Sequence, residues 1–226
     1  MSQMLSETLQ RPVGGDPVYF SPKGYFVGIA KDVVASQSNM RIELPGNGTV
    51  VMLPGRHEYY ASVPNMVEFC QTSAKDFKKT PLKNDTADDF GRARHIGELL
   101  WQAAFHASQG RLIESASNGE AVHIYDVIRF TSWPNLTRLP KTANTMRICA
   151  LLTRHPSSIM LVSRKLGIES EEVFQVYSAA CSSGIVNVIS NHMGRADTQA
   201  GVEDVEIEHG QEHGLLHSLF AKISGL

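Results

Sequence analysis

Residues 157–189 most constrain the fold, because glycines and short apolar stripes divide this stretch into two helices and a strand. Ile159, Val162 and Leu166 recur at spacings of three and four residues, which places them on one face of a helix. Gly167 follows at the position where a residue in the left-handed conformation commonly ends a helix. Ser157 or Ser158 can cap the start of this helix. The stretch therefore begins with a predicted short helix and a tight turn.

A second helix is predicted from residue 170 onwards. Ser170 can cap its first turn, in which the helix dipole favours the carboxylates of Glu171 and Glu172. Four apolar residues at helical spacing form its predicted buried stripe: Val173, Val176, Tyr177 and Ala180. Gly184 is expected to end this helix, and the mainly β-branched residues 185–189 then suit a strand.

Residues 145–155 supply a third amphipathic helix upstream, through Met146, Ala150 and Leu151. This layout resembles the winged helix-turn-helix superfamily, in particular the pattern LA..LGIS...V...L..L...GLV of many bacterial regulators. The chain departs from that pattern in the first helix of the pair, where Val162 and Ser163 replace the usual Leu-Ala. The resemblance covers roughly a fifth of the chain. It implies a module that either binds DNA or docks proteins.

Composition indicates an ordinary globular protein. Its 226 residues are 42% hydrophobic and 19% charged, enough for a sizeable core and two domains. We expect a cytoplasmic protein with no secretory signal and no membrane span, because the sequence has no uncharged apolar run of about 18 residues. The three widely spaced cysteines fit neither a disulfide framework nor a zinc ribbon, so buried, inert thiols are predicted.

The predicted fold is α+β, with an N-terminal antiparallel β-rich domain followed by a helical region that carries the winged helix-turn-helix. Five regions are expected: a flexible leader (1–16), the β-rich domain (17–83), a helical middle with a connector (90–140), the winged helix-turn-helix (141–193) and a mobile tail with a terminal amphipathic helix (194–226).

Within the β-rich domain, strands are predicted at 25–29, 40–44, 49–53, 58–62 and 66–70. Asn47 and Gly48 readily take positive φ and predict a hairpin turn between two of these strands.

The middle region is predicted to hold a helix over 90–109. The type of the apolar segment 124–130 is left open, and 133–140 is expected to be an extended connector in which Trp133 and Leu136 attach the C-terminal module.

Charge weighs against DNA binding by the C-terminal module. Residues 141–193 carry five Lys and Arg against three Glu, a small excess where DNA-binding proteins usually concentrate basic residues. Glu171 and Glu172 stand where a recognition helix would meet bases, and Glu169 precedes them. In the alternative interpretation, in which the module binds DNA, Gln175 would pair with adenine. Arg154, Arg164 and Lys165 would then contact phosphates.

The tail carries an apolar ridge, formed by Leu215, Leu216, Leu219, Phe220 and Ile223, that suits docking into a groove. With Glu171, Glu172 and Gln175 these are the predicted partner-binding residues. His209, His213 and His217 share the tail's other face, and no metal is assigned to them because Gly210 and Gly214 weaken the helix.

The spacing of residues in the sequence does not indicate a catalytic site. The sequence has neither a phosphate-binding glycine loop nor a recognisable nucleophile with a base and an orienting group. We therefore expect a non-enzymatic, cofactor-free cytoplasmic regulatory or signalling adaptor that acts through a winged helix and a C-terminal docking helix. The alternative is a DNA-binding transcription regulator with a β-rich sensor domain. A protein partner is expected in the first case and nucleic acid in the second.

Overall fold

The computed structural model describes residues 17–82, 91–116 and 119–190. Their first elements are β1 (Tyr19–Phe20), α1 (Phe26–Ser36), β2 (Met40–Leu44), β3 (Gly48–Leu53), β4 (Glu58–Ser62), α2 (Met66–Gln71), β5 (Lys78–Pro81) and β6 (Arg94–His95). These are followed by α3 (Ile96–Ser108), β7 (Leu112–Ile113), β8 (Val127–Phe130), α4 (Thr145–Arg154), β9 (Ser157–Ser158), α5 (Ile159–Leu166), α6 (Ser170–Ser182) and β10 (Val186–Ser190). The protein is α+β, and its two larger sheets are antiparallel.

The five-stranded sheet has the order β5-β2-β3-β4-β6. The strands predicted at 40–44, 49–53 and 58–62 are confirmed as β2, β3 and β4. The predicted turn between β2 and β3 is also confirmed, but positive φ falls on Gly46 and Gly48 rather than on Asn47. The Asn47 side chain is instead buried and hydrogen-bonded to the backbone of Asn65, at 2.9 Å to its carbonyl and 3.0 Å to its nitrogen.

Two segments predicted as strands, 25–29 and 66–70, are wrong, because the chain is helical there. Most of the first lies in α1, whose buried residues Phe26, Ile29, Ala30 and Val33 follow helical spacing. The second lies in α2, where the Asn65 side chain caps the helix by accepting from the Glu68 backbone nitrogen. β-Branched and aromatic composition therefore misled the prediction where helical periodicity and a cap were present.

The helix predicted at 90–109 is α3, over Ile96–Ser108. It packs against α1 and α2 and also against α6. The described residues of the β-rich, middle and C-terminal regions contribute to one large hydrophobic core, which includes Phe26, Trp101 and Tyr177. The short β1–β7 pair, which is parallel, joins the start of the described chain to the segment after α3.

The C-terminal elements form three helices and a three-stranded sheet of order β10-β8-β9. The segment whose type was left open contains β8, which pairs with both β9 and β10 although it precedes α4. Ser158 caps α5, and Gly167 ends it with a φ of 62°, as predicted. The capping position of α6 is Glu169 instead of Ser170, so Ser170 is the first helical residue. Among the helices that the structure describes, none is both long and apolar enough to cross a membrane.

Candidate functional site

The sequence directs attention first to α6, the second helix of the α5–α6 pair. Val173, Val176, Tyr177 and Ala180 are all buried, as the periodicity predicts. Burial extends beyond that stripe, because Phe174, Ser178, Ala179, Cys181 and Ser182 are buried as well. Since α6 packs along α3, most of its surface lies inside the protein.

The polar side chains of α6 also form intramolecular contacts. The Gln175 side-chain amide donates to the carbonyl of Phe105 in α3 at 3.0 Å. The Ser178 hydroxyl accepts from the Ile113 nitrogen at 3.0 Å and donates to the Arg111 carbonyl at 3.2 Å. These two side chains therefore hold α6 to α3 and to β7.

Glu172 is bound to the start of α4. Its carboxylate accepts from the backbone nitrogen of Asn144 at 3.1 Å and from the Asn144 side-chain amide at 2.7 Å. Partial burial raises the pKa of Glu172, but hydrogen bonds from Thr142 and Asn144, with the charge of Arg147, outweigh it and leave the pKa lowered. Glu171 is exposed, and its side chain lies beside Gly110.

Arg154, Arg164 and Lys165 are exposed at the C-terminal ends of α4 and α5. In the part of the chain that the structure describes, none of the three forms an ion pair. Their charges are therefore open to an external anion. The remaining predicted partner-binding residues, in the tail ridge at 215–223, lie outside the described residues.

The connector is attached differently from the prediction. Leu136 is buried as expected, but Trp133 is 50% exposed and does not anchor the segment. Trp101 of α3 does so instead, since its indole nitrogen donates to the carbonyl of Pro140 at 3.0 Å. Leu139, which is buried, adds a second apolar anchor.

A pocket of about 290 Å³ that the sequence reasoning missed lies beside this connector. Its lining residues come from three places in the chain: Arg92 and Arg94 at β6, Glu98 and Gln102 on α3, and Arg138 in the connector. The Arg-Ala-Arg alternation at 92–94 was the available sequence signal. Arg138 is far away in sequence, so no local pattern could have placed it with the other two.

The three cysteines are free and buried, as predicted. Burial raises the pKa of Cys70 and of Cys149 to about 12, so neither thiol ionises readily. No group of three or more potential metal ligands is brought together within the described ranges.

Comparison of the chain with protein-family models, with curated proteins and with solved structures found no match.

Proposed function

We propose that this protein is a non-enzymatic regulatory or signalling adaptor that acts through protein–protein contacts. The observation that carries the proposal is the burial of α6 against α3. A helix that reads DNA must present the side chains of its first turns to base edges in the major groove. In α6, Gln175 and Ser178 are bonded to α3 and β7, whereas contact with a protein partner does not require them.

We interpret α4, α5, α6 and the three-stranded sheet as a winged helix-turn-helix used as a structural and docking module. Support comes from the cap at Ser158, the left-handed Gly167 and the strand that follows α6. The central strand of this sheet is β8, which precedes α4 in the chain. The module therefore shares its sheet with the preceding segment and shares its core with α3, as expected for a part of a larger scaffold.

The tail ridge is the proposed partner contact, and Glu171, which is exposed on α6, is a second proposed contact residue. The ridge combines five large apolar residues within nine positions, Leu215 to Ile223. An apolar helix face of this kind binds in a hydrophobic groove. Glu172 and Gln175, predicted with them, are already bonded within the protein and contribute to the scaffold.

The adaptor proposal is tested by affinity capture from native extract followed by binding measurements with the purified captured protein. The double variant Leu219→Asp/Phe220→Asp should abolish capture, because two charges would enter the apolar contact. The control Glu208→Ala/Glu212→Ala alters the polar positions of the same segment and should retain capture. Equal capture by all three proteins would refute a docking role for the ridge.

The alternative, a DNA-binding transcription regulator with a β-rich sensor domain, is favoured by one observation. Arg154, Arg164 and Lys165 are exposed and can contact phosphates. Phosphate contacts position a protein on DNA without reading its sequence. Because Gln175 and Ser178 of α6 are bonded within the protein, this route supports sequence-independent binding.

Anisotropy of a labelled random duplex at low and raised salt separates the two functions. A regulator would bind at low salt, lose affinity as salt rises and lose it in the variant Arg154→Ala/Arg164→Ala/Lys165→Ala. The control Lys75→Ala/Lys78→Ala/Lys79→Ala removes the same charge from an exposed region near β5 and should retain binding. We expect no binding that depends on the first triplet, and a selective loss there would favour the regulator.

A further inference from the structure

We propose that the pocket lined by Arg92, Arg94, Arg138, Glu98 and Gln102 binds a small phosphorylated ligand, with the three arginines as its phosphate contacts. This inference goes beyond the adaptor function and does not depend on it. It assigns the protein a second kind of partner, a phosphate monoester of a hydroxyl-bearing molecule.

Two pairs of lining residues, Arg92 with Arg94 and Glu98 with Gln102, lie close together in the chain. Arg94 lies in β6 and Arg92 in the bend just before it, and both side chains line the pocket. Glu98 and Gln102 are four residues apart on α3 and share a helix face. The first pair lies just before α3, and the second lies on its first two turns, so one continuous stretch of chain supplies four of the five lining residues.

Arg138 lies in a turn of the connector that is fixed by a backbone hydrogen bond and by buried leucines. Its backbone nitrogen donates to the carbonyl of Asn135 at 3.1 Å, and the buried side chains of Leu136 and Leu139 flank the turn. The bond from Trp101 to Pro140 holds the end of the same segment against α3. The core therefore places the backbone of residue 138 beside the pocket, where the Arg138 side chain joins the lining.

The charge of the lining matches a phosphate group. Three guanidinium groups face one carboxylate, a net charge of +2. Among the described residues none of these four side chains forms an ion pair, so the arginine charges are not neutralised within the described pocket. A phosphate monoester carries about −1.5 to −2 charges and three acceptor oxygens. A carboxylate has one charge and two oxygens, which is too few for three guanidinium forks.

The two remaining residues indicate what is attached to the phosphate. Glu98 accepts hydrogen bonds from donors, and the side-chain amide of Gln102 in the same lining both accepts and donates them. Hydroxyl groups of a ligand would supply those donors. The volume of about 290 Å³ is at the lower end for small-molecule pockets and suits a sugar phosphate better than a polymer.

Isothermal titration calorimetry of the full chain tests this proposal with ribose 5-phosphate, inorganic phosphate and ribose as probes. We expect saturable binding of ribose 5-phosphate, weaker binding of inorganic phosphate and none of ribose. Arg138→Gln and Arg92→Gln should each weaken binding roughly tenfold or more, because each removes a charge-assisted hydrogen bond. Arg129→Gln, which removes an exposed arginine from β8, should leave the affinity unchanged.

Glu98→Gln tests the orientation of the ligand. It should strengthen the binding of inorganic phosphate by removing a like charge, and it should reduce the preference for ribose 5-phosphate.

Absence of saturable binding of every phosphate probe in the millimolar range would overturn the proposal. Equal weakening by Arg129→Gln and Arg138→Gln would also overturn it, because binding would then follow net charge and not the pocket. Tight binding of single-stranded nucleic acid that is lost in Arg138→Gln, without binding of the sugar phosphate, would replace the small ligand with a polymer.

Discussion

The hydroxyl oxygen of Ser178 in α6 accepts a hydrogen bond from the backbone nitrogen of Ile113 in β7, at 3.0 Å, with both residues buried. On either side of Ile113, the nitrogens of Leu112 and Glu114 donate to Val18 and Phe20 in the β1 segment. Successive backbone N–H groups along this segment point in opposite directions. The N–H of Ile113 therefore points to α6, while those of Leu112 and Glu114 point to the β1 segment. The bond joins the C-terminal module to the beginning of the described chain.

Ser178→Ala should lower the free energy of unfolding by about 1–3 kcal/mol, because it leaves the Ile113 nitrogen and the Arg111 carbonyl buried without this partner. Urea denaturation measures the change. Ser182→Ala is the matched control on the same helix, since the Ser182 hydroxyl is buried and has no hydrogen-bond partner among the residues that the structure describes. That variant should be neutral or slightly more stable, and equal losses in both variants would contradict the role of the Ser178 bond.

Glu172 should make stability depend on pH in the acid range. Its pKa is lowered from 4.5 in the folded protein, so its stabilising contribution is complete above the unfolded-state value and is lost as pH falls through the lower, folded value. Wild-type protein should therefore lose more stability than Glu172→Gln between pH 7 and about pH 3. Urea midpoints at a series of pH values measure this difference.

The control for Glu172 is Glu169→Gln, at the capping position of the same helix, where the side chain forms no capping hydrogen bond. Its pH profile should follow that of the wild type. If Glu172→Gln also follows the wild type, the contacts to Asn144 do not stabilise the charged form.

The β2–β3 turn should tolerate a side chain at Gly46 far better than at Gly48. A Cβ at Gly46 would meet nothing within 4 Å, so Gly46→Ala should cost about 1 kcal/mol from its positive φ alone. At Gly48 the Cβ would lie 2.1 Å from the carbonyl oxygen of Ser62, and Gly48→Ala should cost about 3 kcal/mol or more. Thermal and urea denaturation of the two variants compare these costs, and similar values would contradict the close approach of β4.

The cysteines should resist modification in the native state. Burial excludes reagent from all three thiols and raises the pKa of Cys70 and Cys149 to about 12, which suppresses the reactive thiolate. A disulfide reagent at pH 8 should react slowly with native protein and rapidly with all three thiols in denaturant. Ser132→Cys adds a thiol at an exposed position and should react at once, and fast reaction of the unmodified native protein would contradict the burial.

Much of the local structure could be predicted where a short-range pattern was strong. The turn around Asn47 and Gly48, the cap at Ser158 and the left-handed Gly167 depend only on neighbours in the chain, and each was found as an ordered feature. α1 was missed because its valines and aromatic residues favour strands in isolation, while the buried spacing from Phe26 to Val33 belongs to a helix. α2 was missed in the same way, although Asn65 and Glu68 stand at capping spacing.

The sequence by itself determined the α+β class, the antiparallel β2–β3–β4 strands and the order of helix, turn, helix and strand in the C-terminal module. Periodicity, caps and turn residues act over a few positions, so they can be recognised without the rest of the chain. Only the tertiary structure decided that α6 is buried against α3 and that Trp101, not Trp133, anchors the connector. It also decided that Arg138 lines the same pocket as Arg92 and Arg94. Those relationships depend on packing between residues that are distant in sequence, and packing is a property of the assembled core.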